Sequence, residues 1–413
     1  MHLSFGVYGQ GLVKFEKERN VFSSSLQGLT ITIITIWLGI YLLFHDFFNS
    51  LFSLTTIQMI AMFVMSWSSA VYGFWATEQR SRYSYRWMVA VILIASVAKP
   101  LIGIIFVYFA TDKVTARIIG LALVELVYCV PLFFIQLRKG EKLFHAKFWK
   151  YALLYNLPLI PHYLSQVVLS SADRIMIERM CGADDAGIYS LATSVSLVMM
   201  IVNTALNRTI GFWIYQKIKN GMEKSISRVA YATLVIVAAA NILLIALAPE
   251  AIAFFAPKSY QDAIWVIPPI AMSVYFMFMY ELFCSFEFYY EKRIFIMISS
   301  LAAAVVNILL NFIFIQIFGY YAAGYTTLFC YIVYTSGHYY FMRRICKRYL
   351  NNEKVYSLRI LFAISGTFML IGFVFMLTYR TAVVRYLLLI TMLIIGLMER
   401  KRIMETLKAY KNP

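Results

Sequence analysis

WMVAVILIASVAKPLIGIIFVYFA (87–110) and TARIIGLALVELVYCVPLFFIQL (115–137) are separated by four residues, TDKV. Arg80, Arg82 and Arg86 precede the pair, and Arg138, Lys139 and Lys142 follow it. At 1.5 Å per residue, about 20 apolar residues in a helix cross the hydrocarbon core of a bilayer. Each run is long enough for one crossing, and the short connection makes the two crossings antiparallel neighbours. Each also carries one charge near its middle, Lys99 in the first and Glu125 in the second.

The same reading extends outward in both directions. Runs of comparable length lie at 25–47, 55–78, 151–172, 187–213, 229–253, 263–289, 294–316, 319–342, 358–379 and 383–399, which makes twelve spans. Only 14% of the 413 residues are charged and 62% are hydrophobic, about half the charge that a soluble surface needs. The fold class is therefore an all-α polytopic membrane protein. Pro100, Pro158, Pro161, Pro268 and Pro269 fall inside spans, where neighbouring helices can satisfy the freed backbone groups. Five cysteines show no C-x-x-C or other metal-ligand spacing and no disulfide framework. The first 20 residues lack the basic-then-apolar pattern of a cleaved signal, so the first span must direct insertion.

The net charge of +17 does not indicate a nucleic-acid binder, because the basic residues collect in short loops one span apart. One side of the twelve-span layout holds 28 of the 37 Lys and Arg, and the other side holds seven: Lys113, Arg117, Arg174, Arg179, Lys258, Arg380 and Arg385. Lys99 and Arg208 lie within spans. Positive residues stay cytoplasmic, so both termini are expected in the cytoplasm. The longest outer loop is expected at about 172–186. With every loop short, no catalytic or nucleotide-binding domain is expected outside the membrane.

Basic linkers divide the chain. Four spans (1–137) precede the linker RKGEKLFHAKFWK (138–150), six follow it (151–343), and a further helix pair with a basic tail closes the chain (344–413). Transporter folds usually arise from two equal repeats, so a 4 + 6 + 2 order suggests a first lobe short of its opening two helices. The start of the chain, SFGVYGQGLVKFEKERN (4–20), reads like the junction after the second helix of the six-helix lobe, GFWIYQKIKNGMEKSISR (211–228).

The stretch NLPLIPHYLSQVVLSSADRIMIERMCGADDAGIYSLATSVSLVM (156–199) contains a Pro-bearing span, then Ser-x-Asp-Arg-x-x-Ile, then Gly-Ile-Tyr-Ser opening the next span. It resembles the signature region of bacterial O-antigen and exopolysaccharide flippases of the multidrug/oligosaccharidyl-lipid/polysaccharide superfamily. Residues 4–20 resemble the end of that family's second helix and the loop after it. The resemblance implies two helical lobes around a polar cavity in the bacterial cytoplasmic membrane. It implies no enzyme activity, and a substrate of polyprenyl-diphosphate-linked oligosaccharide for O-antigen, lipopolysaccharide or exopolysaccharide assembly. Implied partners are membrane lipids and other polysaccharide assembly proteins. No cofactor is implied beyond coupling to H+ or Na+.

A flippase must meet a diphosphate with cations, so charges within spans are the candidates. Arg208, on a helix the resemblance places at the cavity, and Lys99 are the substrate-binding candidates. Glu125 and Glu281 are coupling or pairing candidates, Glu125 with Lys99 at matched depth and Glu281 with Arg208. Asp173, Arg174, Gly187 and Tyr189 belong to the signature and are expected to shape the outer turn. Glu287 is expected at the cytoplasmic interface, His162 in a core or cavity wall, and Asp184–Asp185 in a solvated turn. Two other functions fit the span count. One is a cation-coupled drug or metabolite antiporter of the same superfamily. The other is a membrane-embedded polymerase or glycosyltransferase, which would need a long outer loop.

Overall fold

The computed structural model describes residues 7–52 and 54–398, apart from the side chains of 395–397. The basic tail after Met398 and the first residues of the 4–20 stretch lie outside the described residues. All regular structure among the described residues is helical. Nine helices there are long and apolar enough to cross a membrane, and Ala382–Ile394 is a shorter apolar one. A helix, whole or interrupted, stands at each of the twelve predicted spans. The chain divides into two compact units at Ile160/Pro161.

The first unit contains α1 (Tyr8–Lys14), α2 (Arg19–Leu43), α3 (His45–Phe52), α4 (Thr56–Ser81), α5 (Tyr85–Phe109), α6 (Lys113–Gly140) and α7 (Ala146–Asn156). Thr55 opens α4 with a reciprocal capping box to Gln58, and Asp112 caps α6 through the amides of Val114 and Thr115. Helix α6 packs against α2, α4 and α5. Its buried face joins Val71, Trp75 and Met88 to Cys129, Leu132 and Phe133. Helix α5 buries only Met88 and Gly103, and exposes Leu93, Ile94, Val97, Leu101 and Ile104. Such a surface needs a cover of lipid or of protein.

Polar contacts bind the first unit near its basic loops. Gln27 on α2 donates to Gln136 on α6 at 2.5 Å, and Gln136 donates to Glu78 on α4 at 3.1 Å. Arg82 closes the chain with a 2.9 Å ion pair to Glu78. Gln27, Gln136 and Glu78 are buried, so each bond replaces water that the interior lacks. The segment after α6 lies directly on α2. Ser24 donates to the Lys142 carbonyl at 2.8 Å, and a Cβ on Gly28 would stand 1.9 Å from the Leu143 carbonyl oxygen. Gly28→Ala should lower thermal stability by about 1–3 kcal/mol through overpacking. Thermal unfolding in detergent would measure it, and an unchanged midpoint would show that the segment can retreat at no cost.

The second unit contains α8 (Ile160–Met180), α9 (Ala183–Lys219), α10 (Ile226–Ala246), α11 (Ala248–Phe255), α12 (Ile267–Tyr289), α13 (Arg293–Phe318), α14 (Tyr321–Tyr349), α15 (Leu358–Leu377) and α16 (Ala382–Met398). Helix α12 is its hub, packed against α9, α10, α13, α14 and α15. It is mostly apolar on every side, as suits a helix enclosed by other helices. Its two prolines, Pro268 and Pro269, sit in the first turn, where a missing amide costs no helical bond.

Besides the span at 25–47, which breaks at Phe44 between α2 and α3, three predicted spans differ in detail. The span at 151–172 is interrupted, because Pro158 and Pro161 deny amide donors and the chain passes through a 3-10 turn at Leu157–Leu159. Helix α8 then runs to Met180, and the expected loop at 172–186 shrinks to Cys181 and Gly182. Gly182 has φ +107°, a conformation L side chains rarely adopt, and this allows the abrupt start of α9. The span at 229–253 breaks after Ala246, ahead of Pro249. The span at 263–289 begins as a 3-10 segment, Lys258–Trp265, before α12.

Candidate functional site

In the first unit the structure brings Lys99 and Glu125 together. Lys99 Nζ lies 2.6 Å from Glu125 Oε1, joining α5 to α6 at the depth their short connection dictates. The carboxylate is 6% exposed and the ammonium 33%. Glu125 Oε2 is buried and accepts no hydrogen bond. A lone charge at mid-bilayer costs about 2.5–3.5 kcal/mol, so each partner removes much of the cost of the other. Lys99→Met and Glu125→Gln should each reduce folded yield, and the double variant should recover part of it. A coupling of about 1–3 kcal/mol is expected from unfolding in detergent. Additive losses would mean that the pair contributes nothing as a pair.

The signature residues form a second constellation, in the second unit. Because α8 continues past its expected end, Asp173 lies within the helix and is 5% exposed. Its Oδ2 accepts from Tyr189 Oη at 2.7 Å and from Thr327 Oγ1 at 2.8 Å, and its Oδ1 accepts from Asn311 Nδ2 at 2.6 Å. Asn311 in turn accepts from Thr326 and meets Asn307 at 3.3 Å. One carboxylate thus ties α8 to α9, α13 and α14. Arg174, one residue on, is half-buried, and its Nε has no hydrogen-bond partner. Gly187 admits Tyr260, whose hydroxyl would lie 3.3 Å from a Cβ at that position. Asp184 and Asp185 occupy the first turn of α9, where negative charge complements the helix dipole.

Arg208 is an exposed residue of α9. Asn203 on the packed face donates to the Val274 carbonyl at 2.6 Å, whereas Thr204 and Arg208 are exposed. Arg208 forms no ion pair among the described residues. It stands 11 residues, about 16 Å, before the end of α9 at Lys219. Glu281 on α12 is half-buried and is not ion-paired with Arg208, although it lies within reach of its charge. His162 is buried beside Tyr163.

Glu287, near the end of α12, is fully buried and meets His338 of α14 at 2.7 Å. The helix end that carries Glu287 is covered by α14, and the His338 ring supplies the partner that a buried carboxyl group needs. The sequence reading missed His338, Asn307, Asn311 and Thr327. The one available signal was their polarity inside apolar runs, and no local spacing connects them to Asp173 or Glu287.

Comparisons with known proteins agree with this architecture. Residues 12–210 match the family model described as "Polysaccharide biosynthesis protein", and residues 158–313 match that of MatE. A curated Haemophilus influenzae protein, the Lsg locus putative protein 1, is 32% identical over 117 residues. That match spans 27% of this chain and 29% of the relative's length. Among solved structures, MATE in the straight conformation shares the fold with a TM-score of 0.69 at 12% identity, covering 84% of both chains. The lipid II flippase MurJ, inward closed, gives 0.61 at 16% identity, over 97% of this chain and 90% of that one. A superfamily transporter from Pyrococcus furiosus gives 0.66 at 10% identity, over 83% and 84%. Two overlapping family matches thus run from residue 12 to residue 313, and the chain shares its fold with solved members of the multidrug/oligosaccharidyl-lipid/polysaccharide superfamily.

Proposed function

We propose that this protein is a flippase that carries a polyprenyl-diphosphate-linked oligosaccharide across the bacterial cytoplasmic membrane during O-antigen, lipopolysaccharide or exopolysaccharide assembly. The observation that carries the reading is Arg208, an exposed guanidinium that forms no ion pair among the described residues, on a helix otherwise apolar enough to span. Such a fork matches the paired oxygens of a diphosphate, and it suits transport of an anion better than of a drug cation. The match to the polysaccharide biosynthesis model supports the same substrate class. Loops among the described residues are short, which favours transport over a membrane-embedded polymerase or glycosyltransferase.

Movement would follow alternating access driven by an H+ or Na+ gradient, with Glu281 and the Lys99–Glu125 pair as the groups a cation would address. Both termini would lie in the cytoplasm. The MatE match favours a second reading, a cation-coupled drug or metabolite antiporter. Proteoliposomes decide between the two. A fluorescent polyprenyl-diphosphate oligosaccharide should move to the opposite leaflet, and imposed H+ and Na+ gradients should identify the coupling ion. Export of a lipophilic cation with no movement of the oligosaccharide would overturn the flippase reading in favour of the antiporter.

A further inference from the structure

On the hub helix α12, Cys284 and Glu287 are three residues apart and therefore share a face. His338 of α14 stands opposite them. The thiol, a carboxylate oxygen and a ring nitrogen all lie within 4.8 Å of one another, and the three residues are 3%, 0% and 0% exposed. Two atoms of this group have no hydrogen-bond partner although buried: Glu287 Oε2 and His338 Nε2. The rings of Tyr280 and Tyr334 enclose His338 at 5.4 and 4.5 Å. A protein interior normally leaves few such atoms unpaired, and each costs about 1–3 kcal/mol.

We propose that Cys284, Glu287 and His338 form a binding site for one transition-metal dication, with Zn2+ the best fit. Sulfur, nitrogen and oxygen donors in a buried cluster suit a borderline-soft ion. Ca2+ and Mg2+ would require about six oxygens, and this pocket supplies two from Glu287. Bonds of about 2.0–2.3 Å to the three donors would place the donor atoms roughly 3.3–3.8 Å apart. Reaching that arrangement takes a small contraction of the group and opens the 2.7 Å Glu287–His338 hydrogen bond. The thiol proton and the proton shared by the pair would leave as the metal entered. A bound ion would pin α12 to α14 one turn from the end of α12 at Tyr289, leaving a fourth position for water or a further side chain.

Full-length protein, purified in detergent and stripped with a chelator, should be titrated with Co2+ and then Zn2+. Expected is about one Co2+ per chain, with the visible bands of a tetrahedral ion and a thiolate-to-cobalt charge-transfer band, all displaced by Zn2+. A variant with Cys129, Cys181, Cys330 and Cys346 changed to Ser should keep the spectrum, whereas Cys284→Ser should lose the thiolate band. Glu287→Gln and His338→Gln should weaken Zn2+ about 100-fold or more, since loss of supporting groups alone costs 10- to 100-fold. Absence of saturable binding by the parent would overturn the proposal, and so would a thiolate band lost in the four-serine variant. Both outcomes are read on chains that keep all three ligands, so they hold even if the single variants do not fold.

Discussion

Arg208→Ala is expected to abolish translocation of the diphosphate-linked oligosaccharide while the protein accumulates in the membrane at its normal level. Hydrogen bonds to a charged group contribute about 1.5–3 kcal/mol each, so losing a two-pronged contact should slow transport roughly 100-fold or more. The exposed side chain has no ion-pair partner among the described residues to abandon, so stability should change by no more than about 0.5 kcal/mol. Arg208→Lys should keep part of the rate, because charge remains while the planar fork is lost. Arg208→Gln should resemble alanine. The measurement is initial translocation rate in proteoliposomes at matched protein density. Normal rates for Arg208→Ala would make the residue a membrane-surface anchor that reaches the headgroups. A carrier of cations would instead keep or gain transport on losing this charge.

The largest stability effect is expected at Asp173. Asp173→Ala removes the acceptor for Tyr189, Thr327 and Asn311 together, on three different helices. Each stranded donor costs about 1–3 kcal/mol, so the loss should reach about 3 kcal/mol or more. That is a large part of the 5–15 kcal/mol typical of a folded domain. Asp173→Asn keeps one acceptor oxygen for Tyr189 and Thr327, but turns its amide toward the amide of Asn311. It should fall between the parent and alanine. Tyr189→Phe removes a single donor and should cost about 1 kcal/mol. In an Asp173→Ala/Tyr189→Phe cycle the second change should cost less than it does alone. Thermal unfolding and the monodisperse fraction in detergent report these losses. An Asp173→Ala protein as stable as the parent would show that the donors find water or one another.

These two residues show how differently a site can be read. Arg208 announces itself in sequence, because a guanidinium within an apolar run of spanning length has few explanations. The Lys99–Glu125 pair was equally legible. A four-residue connection fixes neighbouring antiparallel helices, and equal distance from that turn means equal depth. The Asp173 network was not legible beyond its Asp-Arg and Tyr signature, since Asn311 and Thr327 are 138 and 154 residues away. Nor was the extent of α8, because whether a helix can continue through an aspartate depends on the acceptors and donors that neighbouring helices bring to it.

Sequence by itself determined the all-helical membrane architecture, the twelve positions where helices stand and the charges placed within them. Hydropathy and length suffice for that, because backbone groups in hydrocarbon leave the helix as the available answer. Only tertiary structure decided which apolar helix is enclosed by protein and which is left exposed. The spanning window of α5 is 6% buried and that of α12 is 89% buried, yet both qualify as spans by composition. Lipid chains and side-chain interiors are both apolar solvents, so a one-dimensional hydropathy pattern carries no signal that separates them. The grouping of Cys284, Glu287 and His338 follows from the same choice, because α12 became the enclosed helix and its polar residues had to find partners within the bundle.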